Sequence, residues 1–203
     1  MKCTLCPDLV KSRRRICEGE VFYSVPVDHP QIMAIAEAPG VEEDTLGRPM
    51  MGNSGQDARH HLTINGMAGK GVYLTNMCLC HPPGNRDPSP SEISNCVLNH
   101  LTPTILGMQP KWIITMGRIS TRFFLGNVDM EMVHGVPYTV DFYGLQIAIL
   151  PTYHPAAGLH SPEQAINFLT DMRTAGDVVR GKIEAHPPRD EWKGKERYEL
   201  VAH

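Results

Sequence analysis

Four short, almost wholly apolar runs set the strongest limit on how this chain of 203 residues can fold. They are QIMAIAEA (31–38), GVYLTN (71–76), KWIITMG (111–117) and LQIAILP (145–151). Strands that are covered on both faces of a parallel sheet have this composition, whereas strands with one wet face alternate apolar and polar residues. The segments between the runs leave room for helices. The pattern therefore predicts an α/β fold, a three-layer α/β/α sandwich around a short, mainly parallel sheet of four strands.

Helices are expected between and after these runs, at 54–65, 90–106, 118–125 and 163–180. The second helix has the clearest start, because Ser89, Pro90 and Glu92 form a capping box with proline at the first helical position. From about residue 181 the chain becomes polar, with a Pro-Pro break and mixed charges. This change predicts a loosely attached tail, 181–203, behind a single domain of residues 1–180.

Composition and charge exclude several broad classes of protein. A net charge of -3 argues against a protein whose whole surface binds nucleic acid, although a local basic groove is compatible with it. The chain has no apolar run of about 18 residues, so no membrane span is expected. Its first residues lack an apolar core of signal-peptide length, which favours a cytoplasmic protein. No obligate protein partner is evident, and a monomer is the default expectation.

The cysteines form a pattern that needs an explanation, because a chain without an export signal rarely forms disulfides. Cys3 and Cys6 make a C-x-x-C motif, and Cys80 and Cys96 bracket the proline-rich segment CHPPGNRDPSPSEISNC. Four thiolates can hold a zinc ion or an iron–sulfur cluster. Spacing alone leaves these two alternatives open, together with free thiols on a mobile terminus. Cys78 lies beside an apolar run and is expected to be a small buried side chain.

The loops that follow the four apolar runs carry the side chains that could bind a ligand or take part in catalysis. They read EAPGVEED, TNMCLCHPPGNRD, MGRIS and PTYHPAAG. In open parallel sheets, ligands bind at the carboxyl ends of the strands, where such loops meet. The sequence therefore indicates an enzyme site at this edge of the sheet.

Taken together, five motifs resemble the family 4 uracil-DNA glycosylases, the iron–sulfur branch of the uracil-DNA glycosylase superfamily. They are C-x-x-C at 3–6, EAPGVEED at 37–44, GRPMMGNSG at 47–55, YLTNMCLCHPPGNRDPSPSEISNC at 73–96 and TYHPAA at 152–157. Each is weak alone, but five in register are specific. The resemblance implies a structural [4Fe–4S] cluster on Cys3, Cys6, Cys80 and Cys96, which would order the proline-rich loop. It also implies that DNA is the partner and that a flipped base is hydrolysed from its sugar to leave an abasic site.

The resemblance also implies roles for residues in the strand-end loops. His154 would stabilise the negative charge on the departing base, and Asn76 would read the pyrimidine edge, because an amide offers both a donor and an acceptor. Glu37 would bind the base and position water, and Glu43 would lie near the 5-position of the ring. Gly40 gives a turn in which backbone amides can approach the ligand. A structural histidine, a strand-end asparagine and acids at a helix start are the competing interpretations.

The resemblance also bears on Ala38, Asn85, Arg86 and the lysines. Ala38 stands where a related branch has an aspartate base, so water activation would be weaker or would use Glu37. Asn85 and Arg86 match residues near the cluster and the DNA strand, and Arg86 suits a phosphate contact and a loop brace equally well. The matched motifs contain no lysine that could form an imine, so chain cleavage is not expected, although Lys70 is close in sequence.

Two regions depart from the family pattern and bear on the substrate. Met50 replaces an aromatic residue that stacks on the flipped base, and its thioether would form a more adaptable wall. Gly158 and His160 stand where a bulky apolar residue and an arginine are usual, which leaves Leu159 as the candidate wedge. Three functions follow: a uracil enzyme, an enzyme for a bulkier pyrimidine such as a hypermodified or glucosylated phage base in anti-phage defence, or a catalytically inactive iron–sulfur module that binds DNA.

Overall fold

A sheet of six strands forms the centre of the computed structural model, which describes residues 2–159, 161–189 and 192. The strands are β1 (Glu20–Phe22), β2 (Ile32–Ala36), β3 (Val72–Asn76), β4 (Trp112–Met116), β5 (Tyr138–Phe142) and β6 (Leu145–Thr152). Their order across the sheet is β1-β3-β2-β4-β6-β5. The chain therefore crosses over the sheet several times, as α/β folds with a largely parallel sheet do.

The four central strands are the four apolar runs, and they pair in parallel as predicted. Every residue of β2 is buried, which matches its unbroken apolar sequence. The two edge strands, β1 and β5, pair antiparallel and were not predicted. Strand β1 has only three residues and β5 is partly exposed, so neither produces an apolar run that the sequence pattern could reveal.

Eight α-helices connect or flank these strands among the described residues. They are α1 (Pro7–Ser12), α2 (Val41–Leu46), α3 (Asn53–Ile64), α4 (Pro90–Cys96), α5 (Thr102–Met108), α6 (Arg118–Leu125), α7 (Met130–Val133) and α8 (Pro162–Val179). A π-helical turn, Val97–Leu101, joins α4 to α5, and short 3-10 turns cover Ala68–Lys70, Pro83–Asn85 and Pro155–Leu159. The four predicted helices are present. The capping box is also confirmed, because the Ser89 hydroxyl accepts from the Glu92 N–H and the Glu92 carboxylate accepts from the Ser89 N–H.

Helices cover both faces of the sheet and give the predicted three layers. On β2, Met33 and Ile35 point to one face, where they join the apolar side chains of α4 to α6. Ile32 and Ala34 point to the other face, where they join side chains of α3 and α8, including Phe168. This alternation follows from the two-residue period of a strand and confirms the α/β/α sandwich.

The described part of the tail lies against the edge strand β5. The N–H of Thr139 donates to the His186 carbonyl at 2.8 Å, and the N–H of His186 donates to the Pro137 carbonyl at 3.0 Å. Trp192 contacts the Tyr138 ring edge to face. Residues 190, 191 and 193–203 lie outside the described residues, and the division into a domain and a loose tail stays a prediction. No helix in the described part of the chain has the length and apolar character to cross a bilayer.

Candidate active site

A cleft of about 630 Å³ opens at the carboxyl ends of the parallel strands. Loops after β2, β3 and β6 line it, together with the last residue of β4 and the loop that leads into α3. The non-cysteine residues implied by the family resemblance all line this cleft: Glu37, Ala38, Gly40, Glu43, Met50, Asn76, Asn85, Arg86, His154 and Leu159. The topology explains why they meet, because parallel strands end at the same edge. Their individual roles stay predictions.

Glu37 follows β2 directly and is held at the start of helix α6. Its Oε1 accepts the Ile119 N–H at 3.0 Å, where the helix dipole favours a negative charge. Burial raises the pKa of Glu37, and the hydrogen bond from Ile119 opposes that rise. Gly117, at φ +101°, has no room for a side chain, because a Cβ there would lie 2.7 Å from Glu37 Oε1 and 3.3 Å from His154 Cβ. The glycine thus lets Glu37 and His154 approach the same backbone.

His154 follows β6, and its hydrogen bond fixes which ring nitrogen carries the proton. Nδ1 accepts the Ala156 N–H at 3.2 Å, so the neutral ring has its proton on Nε2. Burial lowers the pKa of His154, and the negative charge of Glu43 opposes that shift. At neutral pH the ring is therefore an uncharged donor.

Asp171, a buried residue of α8, supports the backbone next to His154. Its Oδ2 accepts the Tyr153 N–H at 3.3 Å, and its Oδ1 lies 2.9 Å from His134 Nδ1. Sequence reasoning missed this residue, because the helix separates it from the loop by many positions. A lone acid on the buried face of an otherwise apolar helix was the signal that could have found it.

Asn76 is the last residue of β3 and is buried beside the start of the Glu37 loop. Its Nδ2 lies 3.8 Å from the sulfur of Cys17. Burial and the neighbouring carboxylates raise the pKa of Cys17 to about 12, so the thiol stays uncharged. The side chain of Asn76 is therefore buried next to an uncharged thiol at the lining of the cleft, which suits a group that reads a base edge.

Glu43 lines the cleft, but both oxygens of its carboxylate accept hydrogen bonds from backbone N–H groups. Oε1 accepts from Met51 and Gly52, both at 2.8 Å, and Oε2 accepts from Gly40 at 3.0 Å. This carboxylate braces the loop that leads into α3 against the start of α2. Contact between Glu43 and the 5-position of a base stays a prediction.

Met50 forms part of the cleft wall in an unusual backbone conformation. Its φ is +55°, in the left-handed region that costs a residue other than glycine about 1–2 kcal/mol. Its side chain is buried, with 5% of the residue exposed. Gly55 makes this possible, because a Cβ there would lie 2.4 Å from the Met50 carbonyl carbon. The position of the wall is thus set by the backbone and not by the side chain alone.

Leu159 stands at the rim with 72% of its surface exposed, as a wedge into DNA requires. That role stays a prediction. Gly158 contacts helix α8, since a Cβ there would lie 2.9 Å from Ala165 Cβ. A bulky side chain at Gly158 would therefore clash with this helix unless the loop or the helix moved. His160 lies outside the described residues.

Arg86 makes a bidentate ion pair with Glu92, at 2.8 and 2.7 Å, and Glu92 also caps helix α4. Asn85 adopts φ +56°, and its Oδ1 lies 2.8 Å from His81 Nε2. These contacts brace the proline-rich loop. Of the two roles expected for Arg86, these contacts show the loop brace, and a contact with a DNA phosphate is the alternative that the following experiment tests.

We expect Arg86→Gln and Glu92→Gln to lower Tm by similar amounts, because each removes one half of the same brace. Neither should change the salt dependence of DNA binding, whereas loss of a phosphate contact would reduce the slope of log Kd against log salt by about 1. Thermal unfolding and binding titrations over a salt series would measure both. A smaller slope in Arg86→Gln alone would instead make Arg86 a phosphate contact.

The four cysteines of the predicted cluster lie where the N-terminal arm meets the proline-rich loop. Cys80 and Cys96 are buried, and Cys3 and Cys6 are partly exposed. Arg13 links two of them, because it donates to Cys80 Sγ at 3.0 Å and to the Cys3 carbonyl at 2.6 Å. As the side chains stand, no group of three or more His, Cys, Asp or Glu residues within the described ranges could hold a metal ion.

The surroundings of these sulfurs nevertheless suit thiolate ligands. Asn95 Nδ2 and the Leu79 N–H lie 3.5 Å from the sulfurs of Cys6 and Cys96, respectively. Burial raises the pKa of Cys6, and the nearby thiols of Cys96 and Cys3 add to that rise, whereas the hydrogen bond from Asn95 opposes it and favours the thiolate. N–H donors directed at sulfur are the outer contacts that sulfur ligands of metal centres require. Cys78 is fully buried beside them, as expected.

Lys70 lies near the amino ends of the parallel strands, whereas the cleft lies at their carboxyl ends. It comes two residues before β3, and its Nζ lies 6.0 Å from the centre of the Trp112 ring at the start of β4. Because both positions are at the amino ends of parallel strands, Lys70 cannot reach a base bound in the cleft.

Comparison with known proteins agrees with this architecture. A model of the uracil DNA glycosylase superfamily matches residues 22–173. The Type-4 uracil-DNA glycosylase of Saccharolobus solfataricus is 39% identical over 187 residues, which cover 89% of this chain and 83% of the relative. Those of Archaeoglobus fulgidus (31% over 187 residues, 90% of each chain) and Thermotoga maritima (33% over 183 residues, 88% of this chain and 90% of the relative) are also similar. With the strand-end cleft and its histidine, these matches show that the chain belongs to the uracil-DNA glycosylase superfamily.

Proposed function

We propose that this protein hydrolyses the N-glycosidic bond of uracil in DNA, releases the free base and leaves an abasic site. The observation that carries the proposal is that a neutral histidine and a partly buried carboxylate both lie against Gly117, at the carboxyl ends of the strands. The relatives that match most of the chain are named Type-4 uracil-DNA glycosylases, which supports uracil as the base.

The chemistry of the bond assigns different tasks to these two side chains. When the bond between C1′ and the base nitrogen breaks, its electron pair leaves with the base, and positive charge develops on the sugar. The Nε2–H of His154 would donate to an oxygen of the departing base, where the negative charge collects. An uncharged ring is suited to this task, because its Nε2–H is a donor held in a fixed position where the negative charge develops.

Glu37 would act on the sugar side of the bond. As a carboxylate it would stabilise the developing positive charge and orient the water whose oxygen adds to C1′, while the water proton passes to Glu37 or to solvent. The hydrogen bond from Ile119 holds the carboxylate in place for this step. Ala38 offers no carboxylate, so Glu37 is the acid nearest to the predicted position of an activating base.

Two alternative functions have less support. An enzyme for a bulky phage base would need a wider pocket, but the buried Met50 closes one wall of this cleft. An inactive DNA-binding module would not need a partly buried carboxylate and a histidine held against the same glycine. We therefore favour the uracil enzyme over both alternatives.

A parallel assay of base release separates these functions. One substrate is an oligonucleotide with a single uracil, the other is hypermodified phage DNA, and alkali cleaves the abasic sites in both. Release from the uracil substrate is expected. Release from phage DNA alone would favour the bulky-base enzyme, and DNA binding without release from either would favour the inactive module.

We further propose that Cys3, Cys6, Cys80 and Cys96 bind a [4Fe–4S] cluster. The N–H donors directed at three of the four sulfurs support this assignment. The cluster would supply a cross-link and no catalytic step. It would join the N-terminal arm to the loop at Cys80 and to helix α4 at Cys96, and so support one side of the cleft.

Protein purified without air should be brown, with an absorption band at about 400 nm and about four irons per chain. Cys80→Ala should lose most of this absorption and unfold at a lower temperature. Cys17→Ala is the matched control, because this buried cysteine is not one of the four predicted ligands and its sulfur lies 3.8 Å from Asn76 Nδ2. Iron analysis and visible spectra would measure the result. Colourless wild-type protein that contains zinc would contradict the assignment.

DNA is the macromolecular partner that this function requires. We propose that the enzyme acts as a cytoplasmic monomer without an obligate protein partner, since a single chain brings Glu37, Asn76 and His154 to one cleft. Size-exclusion chromatography with light scattering, with and without DNA, would test the stoichiometry.

A further inference from the structure

Arg59 of helix α3 is a buried cation that contacts the loop forming the wall of the cleft. Its Nε donates to the Met50 carbonyl at 2.9 Å, and one terminal nitrogen donates to the Pro49 carbonyl at 2.7 Å. The same nitrogen lies 3.7 Å from the sulfur of Met51. One guanidinium thus contacts three consecutive residues of this loop.

The two sides of the loop are held by opposite charges. Arg59 binds the carbonyl oxygens of Pro49 and Met50, and Glu43 binds the N–H groups of Met51 and Gly52. Buried backbone groups need such partners, so these side chains take the place of a regular secondary structure. Between them, Met50 keeps its left-handed backbone conformation, which nothing intrinsic to methionine favours.

Arg59 is itself fixed from the side away from the cleft. It pairs with Glu20 of the edge strand β1, and its guanidinium lies 5.1 Å from the centre of the Phe22 ring. Only 11% of its side chain is exposed. Arg48 also pairs with Glu20, at 2.7 Å, but its side chain is 55% exposed.

We propose that Arg59 is a positioning residue that sets the base specificity of the cleft by holding the Met50 wall. The proposal rests on the proposed function, because it assumes that a flipped base contacts Met50. A planar fork with several donors can bind two neighbouring carbonyls and a carboxylate together, whereas a lysine has one nitrogen and cannot. Loss of the fork would release the strained backbone and move the methionine side chain.

The test compares Arg59→Lys and Arg59→Gln with the control Arg48→Lys. Each variant is assayed in single turnover on DNA that contains uracil or 5-hydroxymethyluracil. In parallel, the methyl resonance of Met50 is followed by NMR in protein with ¹³C-methyl methionine and assigned with Met50→Leu. The protein concentration at half-maximal rate reports binding of the flipped base, and the maximal rate reports chemistry.

Arg59→Lys should raise the half-saturating concentration for uracil DNA by about tenfold and change the maximal rate by less than about threefold, because the wall binds the base before and during bond cleavage. The preference for uracil over the larger base should fall, and the Met50 resonance should shift or broaden. Arg48→Lys should leave all of these unchanged. Arg59→Gln should show the same changes as Arg59→Lys. The test can be made with either variant, provided that it folds.

Unchanged half-saturation and base preference in a folded Arg59 variant would overturn the proposal, even if the Met50 resonance moved. Equal effects in Arg48→Lys would also overturn it, since they would indicate general loss of the ion pair with Glu20. Failure of the proposed function is distinguishable, because wild-type protein would then release no uracil. In that case an unmoved Met50 resonance in Arg59→Lys would still refute the positioning role.

Discussion

Replacing His154 with alanine should lower the single-turnover rate of uracil release by about a hundredfold to a thousandfold, as loss of one donor to a developing anion does in other enzymes. The Ala156 N–H fixes the proton on Nε2, and burial lowers the pKa of the ring, so the wild-type enzyme keeps this donor ready at neutral pH. Alanine removes the donor and leaves the negative charge on the base without a partner.

The control for this variant is His60→Ala. His60 is an exposed histidine of α3 and does not line the cleft. Its replacement should leave the rate within about twofold of wild type, because surface changes rarely matter more. Circular dichroism and DNA affinity would show that His154→Ala is folded and binds. A folded His154→Ala that released uracil at nearly the wild-type rate would remove this residue from the mechanism.

The sheet was largely predictable because its four central strands are buried on both faces. Burial on both sides requires an apolar residue at nearly every position, and that requirement is visible in a single sequence. The edge strands have no such requirement. Strand β1 is short, and β5 carries the exposed Asp141, so their pairing depends on neighbours that only the folded chain supplies.

The contents of the cleft were also predictable, because parallel strands bring the loops at their carboxyl ends together. The contacts that orient those loops were not. Asp171 reaches the backbone beside His154 from a distant helix, and Arg59 reaches the carbonyl of Met50 across a turn. These are contacts through space between side chains and backbone, and no local pattern in the sequence specifies them.

Glu43 is a residue that the sequence placed in the cleft but whose contacts the sequence did not reveal. Its position in EAPGVEED marked it as a candidate for contact with the base. The structure shows a carboxylate that accepts three backbone N–H groups, which makes it a brace of the cleft as well as a part of its lining. Sequence can place a residue in a loop, but the number of backbone donors that converge on it depends on the fold of that loop.

Glu37→Gln should lower the rate of uracil release by at least about a hundredfold, in the range expected when a general base is lost. Glutamine keeps the size of the side chain and can still accept from the Ile119 N–H, so its effect reports the missing charge. The wild-type rate should also depend on pH with a definite sign. Because burial raises the pKa of Glu37, the active carboxylate is lost as pH falls through a value above that of an ordinary glutamate, which is about 4.3.

The rate should be measured from about pH 4 to about pH 9, and the uncatalysed loss of base subtracted. The fall in rate on the acid side is the limb that reports Glu37. The wild-type rate should rise with pH and then level off, and Glu37→Gln should be slow and lack the rise. His154 should not add a limb near neutral pH, because burial moves its pKa downward. If Glu37→Gln were slow but kept the wild-type limb, the titrating group would be another residue, and Glu37 would act through its position alone. A rate near that of wild type in this variant would leave water activation without a residue in the cleft and would refute the proposed role of Glu37.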